Sequence, residues 1–528
     1  MSSLTRRDLL RLSIAVPLVG IPELLPPRGG RKLNVLLLAV DDLNNRIGCY
    51  GDPVAKTPNL DRLAARGVRF DRSYCNYPLC NPSRTSLLSG RRPEVTQVWD
   101  NYTPPRTHLG DTVFMPEYFK AHGYFTARVG KIAHGRYEQQ IHWDISESKA
   151  GVGIRQDPPA TTLRYQAGRD SYGGGLTDED DMFEPLQGKK PRAKVQREAK
   201  AEGGPVLSWT RTNGSDADEE DGATARRIVQ LINQNKDKLF FIGCGFHKPH
   251  LPWVAPRKYF DMYSLDRIKL PNTPPDDRDD IPPLALSRTP GDDEMSDTDR
   301  RMAILAYHAA TTFMDAQLGL VLDAMDENKL WDNTVVLMFG DHGWHLYDHL
   351  QLWRKGTVFE QAARAPMMVA APGVKPAVSP RLVEFVDVFP TLTELCSLPT
   401  ASGMEGSSFA PLLADPKRSW KKAAYTMVVR GKQFGRSVRT EHWRYTEWED
   451  GRSGVEFYDH DRDPNEWTNI AWPKRKRTVR QTAEIEEMKR LLHADKKLNV
   501  PPQGQVRAQV RGATEPGQIL GNSYANEW

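Results

Sequence analysis

The sequence predicts an α/β protein: a large, mostly parallel sheet between helices, followed by a smaller antiparallel sheet with a helix. Three observations predict it. Apolar runs of strand length recur between residues 33 and 371, helical patterns separate them, and from about Trp420 the pattern changes to short alternating runs. At 528 residues the chain exceeds what one hydrophobic core organises, so a large first domain and a smaller second one are expected.

The strand candidates are "LNVLLLAV" (Leu33 to Val40), "YFTARVG" (Tyr124 to Gly130), "KLFFIGCG" (Lys238 to Gly245), "NTVVLMFG" (Asn333 to Gly340) and "PMMVAA" (Pro366 to Ala371). Their near-continuous apolar character suits parallel strands covered on both faces. Between them, "TPNLDRLAARGVRF", "MPEYFKAHG", "TARRIVQLINQN" and "AATTFMDAQLGLVLDAM" fit amphipathic helices. Two stretches, 146–221 and 272–297, are rich in Gly or Pro and charge, and read as insertions that shape a cleft. Beyond Trp420, "AAYTMVV", "FGRSVRT", "WRYTEWE" and "VEFYDHD" predict a small antiparallel sheet, and "TAEIEEMKRLLHA" a helix after it. The predicted organisation is therefore a leader at 1–31, a main domain at 32–419 and a C-terminal subdomain with tail at 420–528.

The leader pairs Arg6 and Arg7 with an apolar run from Leu12 to Leu25 that prolines interrupt. It is too short and broken to span a bilayer, and it resembles a twin-arginine (Tat) export signal. Export through the Tat machinery to the periplasm or beyond is expected, with an N-terminal membrane anchor if the leader stays uncleaved. A formal net charge of +4 is small for this length and calls for no nucleic-acid partner. Five cysteines, at 49, 75, 80, 244 and 396, form no C-x-x-C and argue against a disulfide framework. Cys75 reads as a small buried residue.

In an open parallel sheet, ligands collect beyond the carboxyl ends of the strands, and those ends are unusually polar here. After the first strand come Asp41 and Asp42; after the second, Lys131 and His134; after the third, His247, Lys248 and His250; after the fourth, Asp341 and His342. Three carboxylates with a histidine form a hard donor set that favours Ca²⁺ or Mg²⁺ over zinc. Arg84, Lys131, His134, His247 and Lys355 are cationic or proton-carrying, and as a set they suit an anionic tetrahedral group such as sulfate or phosphate.

The stretch "YPLCNPSRTSLLSG" gives Cys80 no partner base, only Arg84 and hydroxyls. Its "C-x-P-S-R" followed by "TSLLSG" resembles the signature of the type I sulfatases. In that family this cysteine is oxidised by a separate, formylglycine-generating enzyme. The resemblance extends over "NVLLLAVDDL", "GYFTARVGKIAHG", "GFHKPHLPW", "GDHGWHLYDHLQLWRKGTVFEQAARAPMMV" and "FYDHDRDPNEWTNIA", and is closest to the iduronate-2-sulfatase-like branch. It implies an alkaline-phosphatase-like fold and hydrolysis of a sulfated saccharide, a uronate-2-sulfate or similar. By matched position it implies one Ca²⁺ held by Asp41, Asp42, Asp341, His342 and the modified Cys80. Arg84 and Lys131 would hold the formylglycine, His134 would act as its base, and His247 with Lys355 would bind sulfate and assist the leaving oxygen. Of the two histidines in "HKPH", His247 is favoured as the catalytic one and His250 as a structural or substrate contact. Two other readings stay open at this level: a phosphonate or phosphate monoesterase on the same scaffold, and a catalytically silent protein that binds sulfated glycans.

Overall fold

β1 (Asn34–Val40) lies near the middle of the largest sheet, paired in parallel with β7 (Phe240–Phe246) on one side and β9 (Thr334–Gly340) on the other. Beyond β7 come β3 (Phe125–Gly130) and β4 (Ile145–Glu147), also parallel. Beyond β9 lies β12 (Met367–Ala370), antiparallel to β9 and to β2 (Val68–Tyr74), and then β13 (Ala377–Glu384), parallel to β2. The eight-stranded order is β13-β2-β12-β9-β1-β7-β3-β4, and β12 alone runs against the others. The computed structural model describes residues 32–148, 163–166, 207–286, 295–496, 499 and 501. The expected leader, most of the first insertion and the expected tail lie outside the described residues.

Side-chain alternation explains why β1 is apolar at nearly every position. Val35, Leu37 and Ala39 enter one core with Leu87, Phe119 and Phe389, whereas Leu36, Leu38 and Val40 enter another with Leu63, Ile228 and Leu318. The first core is covered by the helices Cys80–Ser89, Met115–Ala121 and Val388–Leu395, the second by Pro58–Ala64, Glu220–Asn235 and Asp297–Glu327. A strand buried on both faces has no polar side to show.

Two expectations are corrected. The run Pro366–Ala371 was expected to be parallel, yet β12 is antiparallel, because an apolar run carries no direction. A parallel partner needs a crossover, and the connection from β9 instead folds into a hairpin, β10 (His345–Tyr347) with β11 (Leu352–Arg354). The pattern "TPNLDRLAARGVRF" was expected to be helical throughout, but the helix ends at Ala64 and Val68–Tyr74 is a strand. Gly67 sits at this change, where a Cβ would lie 2.2 Å from Val369 O, so only glycine lets the chain turn in against β12.

The C-terminal segment is a four-stranded antiparallel meander, β14 (Ala424–Arg430), β15 (Gln433–Arg439), β16 (Trp443–Trp448) and β17 (Val455–Asp459). The helix Val479–His493 packs Ile485, Met488 and Leu492 onto Tyr425, Val438 and Trp443. β14 docks on the loop that leads into Cys80: Met427 N donates to Asn76 O at 3.0 Å and Thr426 Oγ1 to Cys75 O at 2.8 Å. A third small sheet joins β5 (Leu163–Gln166), β6 (Ser208–Thr212) and β8 (Trp253–Pro256).

Candidate active site

Because β9, β1, β7 and β3 are parallel neighbours, their carboxyl ends open on one edge of the sheet and deliver Asp341, Asp41, His247 and Lys131 to it. The helix Cys80–Ser89 begins at the same edge. Pro82 is harmless in its first turn, where backbone N–H groups have no intrahelical acceptor. Four-residue spacing puts Cys80 and Arg84 on one helix face. Every residue of this helix is buried.

Cys80 Sγ lies 3.5 Å from Asp41 Oδ1, 3.3 Å from His342 Nε2 and 3.2 Å from Lys355 Nζ. Lys355 Nζ also donates to Asp42 Oδ1 at 2.7 Å, and Lys131 Nζ to Asp41 Oδ2 at 2.6 Å. Arg84 spans the site: Nε donates to Asp341 Oδ2 at 2.8 Å, Nη2 to Asp41 Oδ1 at 3.3 Å, and Nη1 to the carbonyls of Lys131 and Ile132. Ser83 Oγ donates to Asp341 O. Three buried carboxylates thus face three cations, an arrangement that removing any one member leaves uncompensated.

Burial would raise the Asp41 carboxyl, but the pull of Lys131, His250, Arg84 and Lys355 outweighs it and holds it well below the usual range. Asp42 is raised, chiefly by burial. Burial, reinforced by Asp41, pushes the Cys80 thiol well above its ordinary value. A thiol so held is a poor nucleophile in its own right.

The donors of Asp41, Asp42, Cys80 and His342 lie within 4.8 Å of one another, close enough to hold a metal ion. Asp341 Oδ1 is 3.6 Å from His342 Nε2 and accepts from Asp42 N at 3.0 Å. Asp42 Oδ2 is fully buried with no hydrogen-bond partner among the described residues, and so is His250 Nε2, 3.8 Å away. Two facing buried polar atoms left unsatisfied fit a site built for an added ion or ligand. The hard oxygens in the set suit a divalent cation.

A family model described as "Sulfatase" matches residues 33–398, and one described as "N-sulphoglucosamine sulphohydrolase, C-terminal" matches residues 340–494. The chain belongs to the sulfatase family. It is a sulfuric ester hydrolase of type I, related to the iduronate-2-sulfatase-like branch. It is 32% identical to a sulfatase of Formosa agariphila over 87% of this chain and 86% of that one. It is 31% identical to the iduronate 2-sulfatase of Mus musculus over 72% of this chain and 70% of that one. Among solved structures, it superposes on a phosphonate monoester hydrolase of Agrobacterium radiobacter with a TM-score of 0.66 at 19% identity, covering 88% of this chain and 97% of that one. That last likeness is one of fold.

In this sulfatase the two histidines of "HKPH" both reach the carboxylates. His247 Nδ1 is 3.9 Å from Asp41 Oδ2 and its side chain keeps 16% exposure, whereas His250 is fully buried beneath Asp42. Their rings lie 4.9 Å apart. Burial, and then Lys248, lowers His247 well below the ordinary histidine value. His134 is buried three residues beyond Lys131, its ring 6.2 Å from that of Tyr137. Two supporting residues escaped the sequence reading. Asp221, at the start of the helix Glu220–Asn235, accepts from His247 N at 2.7 Å and Lys248 N at 2.9 Å and so fixes the histidine turn. Tyr307 holds the loop after β1. Only Asp221 lay within a region already singled out, and neither carries a motif.

Proposed function

We propose that this sulfatase removes sulfate from a sulfated saccharide, a uronate-2-sulfate or similar, using a formylglycine derived from Cys80 and one Ca²⁺. The observation that carries this reading is Cys80 Sγ, buried within 3.5 Å of Asp41, His342 and Lys355, where burial raises the thiol and a modified side chain would have a metal site beside it. Sγ stands where the oxygen of the modified residue would be. Similarity to an iduronate 2-sulfatase supports the saccharide.

Asp41, Asp42, Asp341 and His342 would hold the cation together with the modified Cys80. When present, the hydrated formylglycine supplies the oxygen nucleophile toward sulfur and the cation neutralises charge on the sulfate. The chain's own groups do the rest. Arg84 and Lys131 fix Asp41, and with it the orientation of residue 80. His134 would take the proton from the nucleophilic hydroxyl. Lys355 and His247 would orient the sulfate oxygens and meet the leaving oxygen, with His250 as the inner contact below them. Residues 32–419 would form the catalytic domain and 420–528 the subdomain that braces the Cys80 loop. Export by the Tat route and maturation by a formylglycine-generating enzyme complete the reading.

The test is the mass of the peptide containing Cys80 from protein produced with a formylglycine-generating enzyme, alongside turnover of an aryl sulfate. A mass about 18 Da below the cysteine form, with turnover abolished by Cys80→Ala, is expected. An intact thiol with undiminished turnover would overturn it. Matched aryl phosphate and phosphonate esters, assayed on the same sample, separate this reading from the phosphomonoesterase one, and saccharide binding without turnover of any ester would favour the silent one.

A further inference from the structure

Between the C-terminal meander and the helix Val479–His493 runs "PKRKRTVRQ", in which Lys474, Arg475, Lys476, Arg477 and Arg480 stand within seven residues with no acidic residue among them. All of 473–480 are exposed, Val479 at 90%. Arg475 pairs with Asp280 at 2.8 Å and Arg480 approaches Glu484 at 3.9 Å, while Lys474, Lys476 and Arg477 make no ion pair or hydrogen bond among the described residues. Elsewhere this protein pairs many of its surface cations, as Arg62 with Asp323 and Asp326, or Arg227 with Glu147. Four consecutive cations span at most about 11 Å of chain. That is close to the screening length at physiological salt, about 8 Å, so their fields add. In a chain whose net charge is only +4, such a run is a local excess whose self-repulsion an anionic partner would relieve.

The run is also tied to the catalytic edge. Arg475 grips Asp280, and just before it Asp277 and Arg278 hold the β10–β11 hairpin, Asp277 through His349 Nδ1 at 3.1 Å and Arg278 through His349 O at 2.6 Å. That hairpin ends at Arg354, next to Lys355.

We propose that the 474–480 run is an auxiliary docking surface for a sulfated polysaccharide chain, holding the polymer while one of its residues occupies the site at Cys80. The proposal rests on the sulfated-saccharide reading above and adds to it that the substrate is polymeric. The charge complementarity is between repeated sulfate groups and the exposed cations Lys474, Lys476 and Arg477, which make no ion pair among the described residues.

The experiment compares the mature wild-type enzyme with a K474E/K476E/R477E variant in binding to dextran sulfate and to unsulfated dextran, and in turnover of a small aryl sulfate. A K269E/K417E/K432E variant, with the same charge change at other exposed lysines, is the control. The expected result is dextran sulfate binding that falls at least tenfold in the first variant and keeps near wild-type strength in the control. Unsulfated dextran should not bind, and kcat/KM on the small ester should stay unchanged throughout. Equal weakening in both variants, or undiminished binding in the first, overturns the proposal, as does equally tight wild-type binding to duplex DNA or to vesicles of anionic lipid. Absence of small-ester turnover in mature wild-type protein would instead sink the sulfatase reading, so the two failures are distinguishable.

Discussion

The hydroxyl of Tyr307 donates to Asp42 O at 2.8 Å and accepts from Asn44 N at 2.9 Å, closing the loop after β1 from a helix 265 residues away. These bonds brace Asp42, whose backbone lies in the left-handed region at φ 59°, uncommon for a residue other than glycine. Both partners are buried. Tyr307→Phe leaves a buried carbonyl and a buried N–H unsatisfied, at about 1–3 kcal/mol each. The variant is expected to bind Ca²⁺ at least tenfold more weakly in a calorimetric titration, with turnover partly restored by excess Ca²⁺. Unchanged affinity would mean that the β1 loop holds its shape without the hydroxyl.

Arg84 contacts Asp341, Asp41 and the carbonyls after β3 together. Arg84→Ala leaves two buried carboxylates short of a cation and is expected to cost about 3–5 kcal/mol in denaturant unfolding. Arg84→Lys should recover little of that, since an ammonium cannot reproduce a planar fork with divergent acceptors. Full recovery by lysine would show that charge alone matters here.

Removal of divalent cation should both abolish ester turnover and lower the melting temperature. The carboxylates of Asp41, Asp42 and Asp341 converge on one edge, and a bound cation stabilises the folded state by about 2.7 kcal/mol at a hundredfold excess over its Kd. Chelation followed by Ca²⁺ titration in a thermal scan checks this. A melting temperature insensitive to both would argue against a resident metal.

Acid stability should depend on Glu384, which is buried against Arg92 at 2.6 Å and Lys421 at 2.6 Å. Burial alone would raise its carboxyl, but those two cations win and hold it at about 2. A folded value below the unfolded one contributes stability that is complete above about 4.5, the unfolded carboxyl value, and is lost as pH falls toward 2. The stability gap between wild type and Glu384→Gln should therefore be constant at neutral pH and shrink across that window. A gap that is flat down to pH 2 would contradict the ion-pair account.

Much of the site was legible because parallel strands buried on both faces read as unbroken apolar runs, so the polar residues directly after them stood out. Asp41, Asp42, Asp341, His342, Lys131 and His247 were all singled out that way as candidates, and the Cys80 motif was singled out by resemblance. β2 was not legible: "VRFDRSY" mixes polar and apolar residues and follows a helix without a strong stop signal. The reversed direction of β12 was illegible for a different reason, since direction depends on the path of the connection.

The local pattern of the sequence by itself determined the α/β class, the strand ends that carry polar groups and the spacing that sets Cys80 beside Arg84 on one helix face, because each is fixed by neighbours a few residues apart. Only the tertiary structure decided that Lys355 reaches both Asp42 and Cys80, that His250 lies deeper than His247, and that Tyr307 and Asp221 hold the loops that carry Asp42 and His247. Those relations join residues as far as 313 positions apart, and they exist only once hydrophobic burial has stacked the strands in one order.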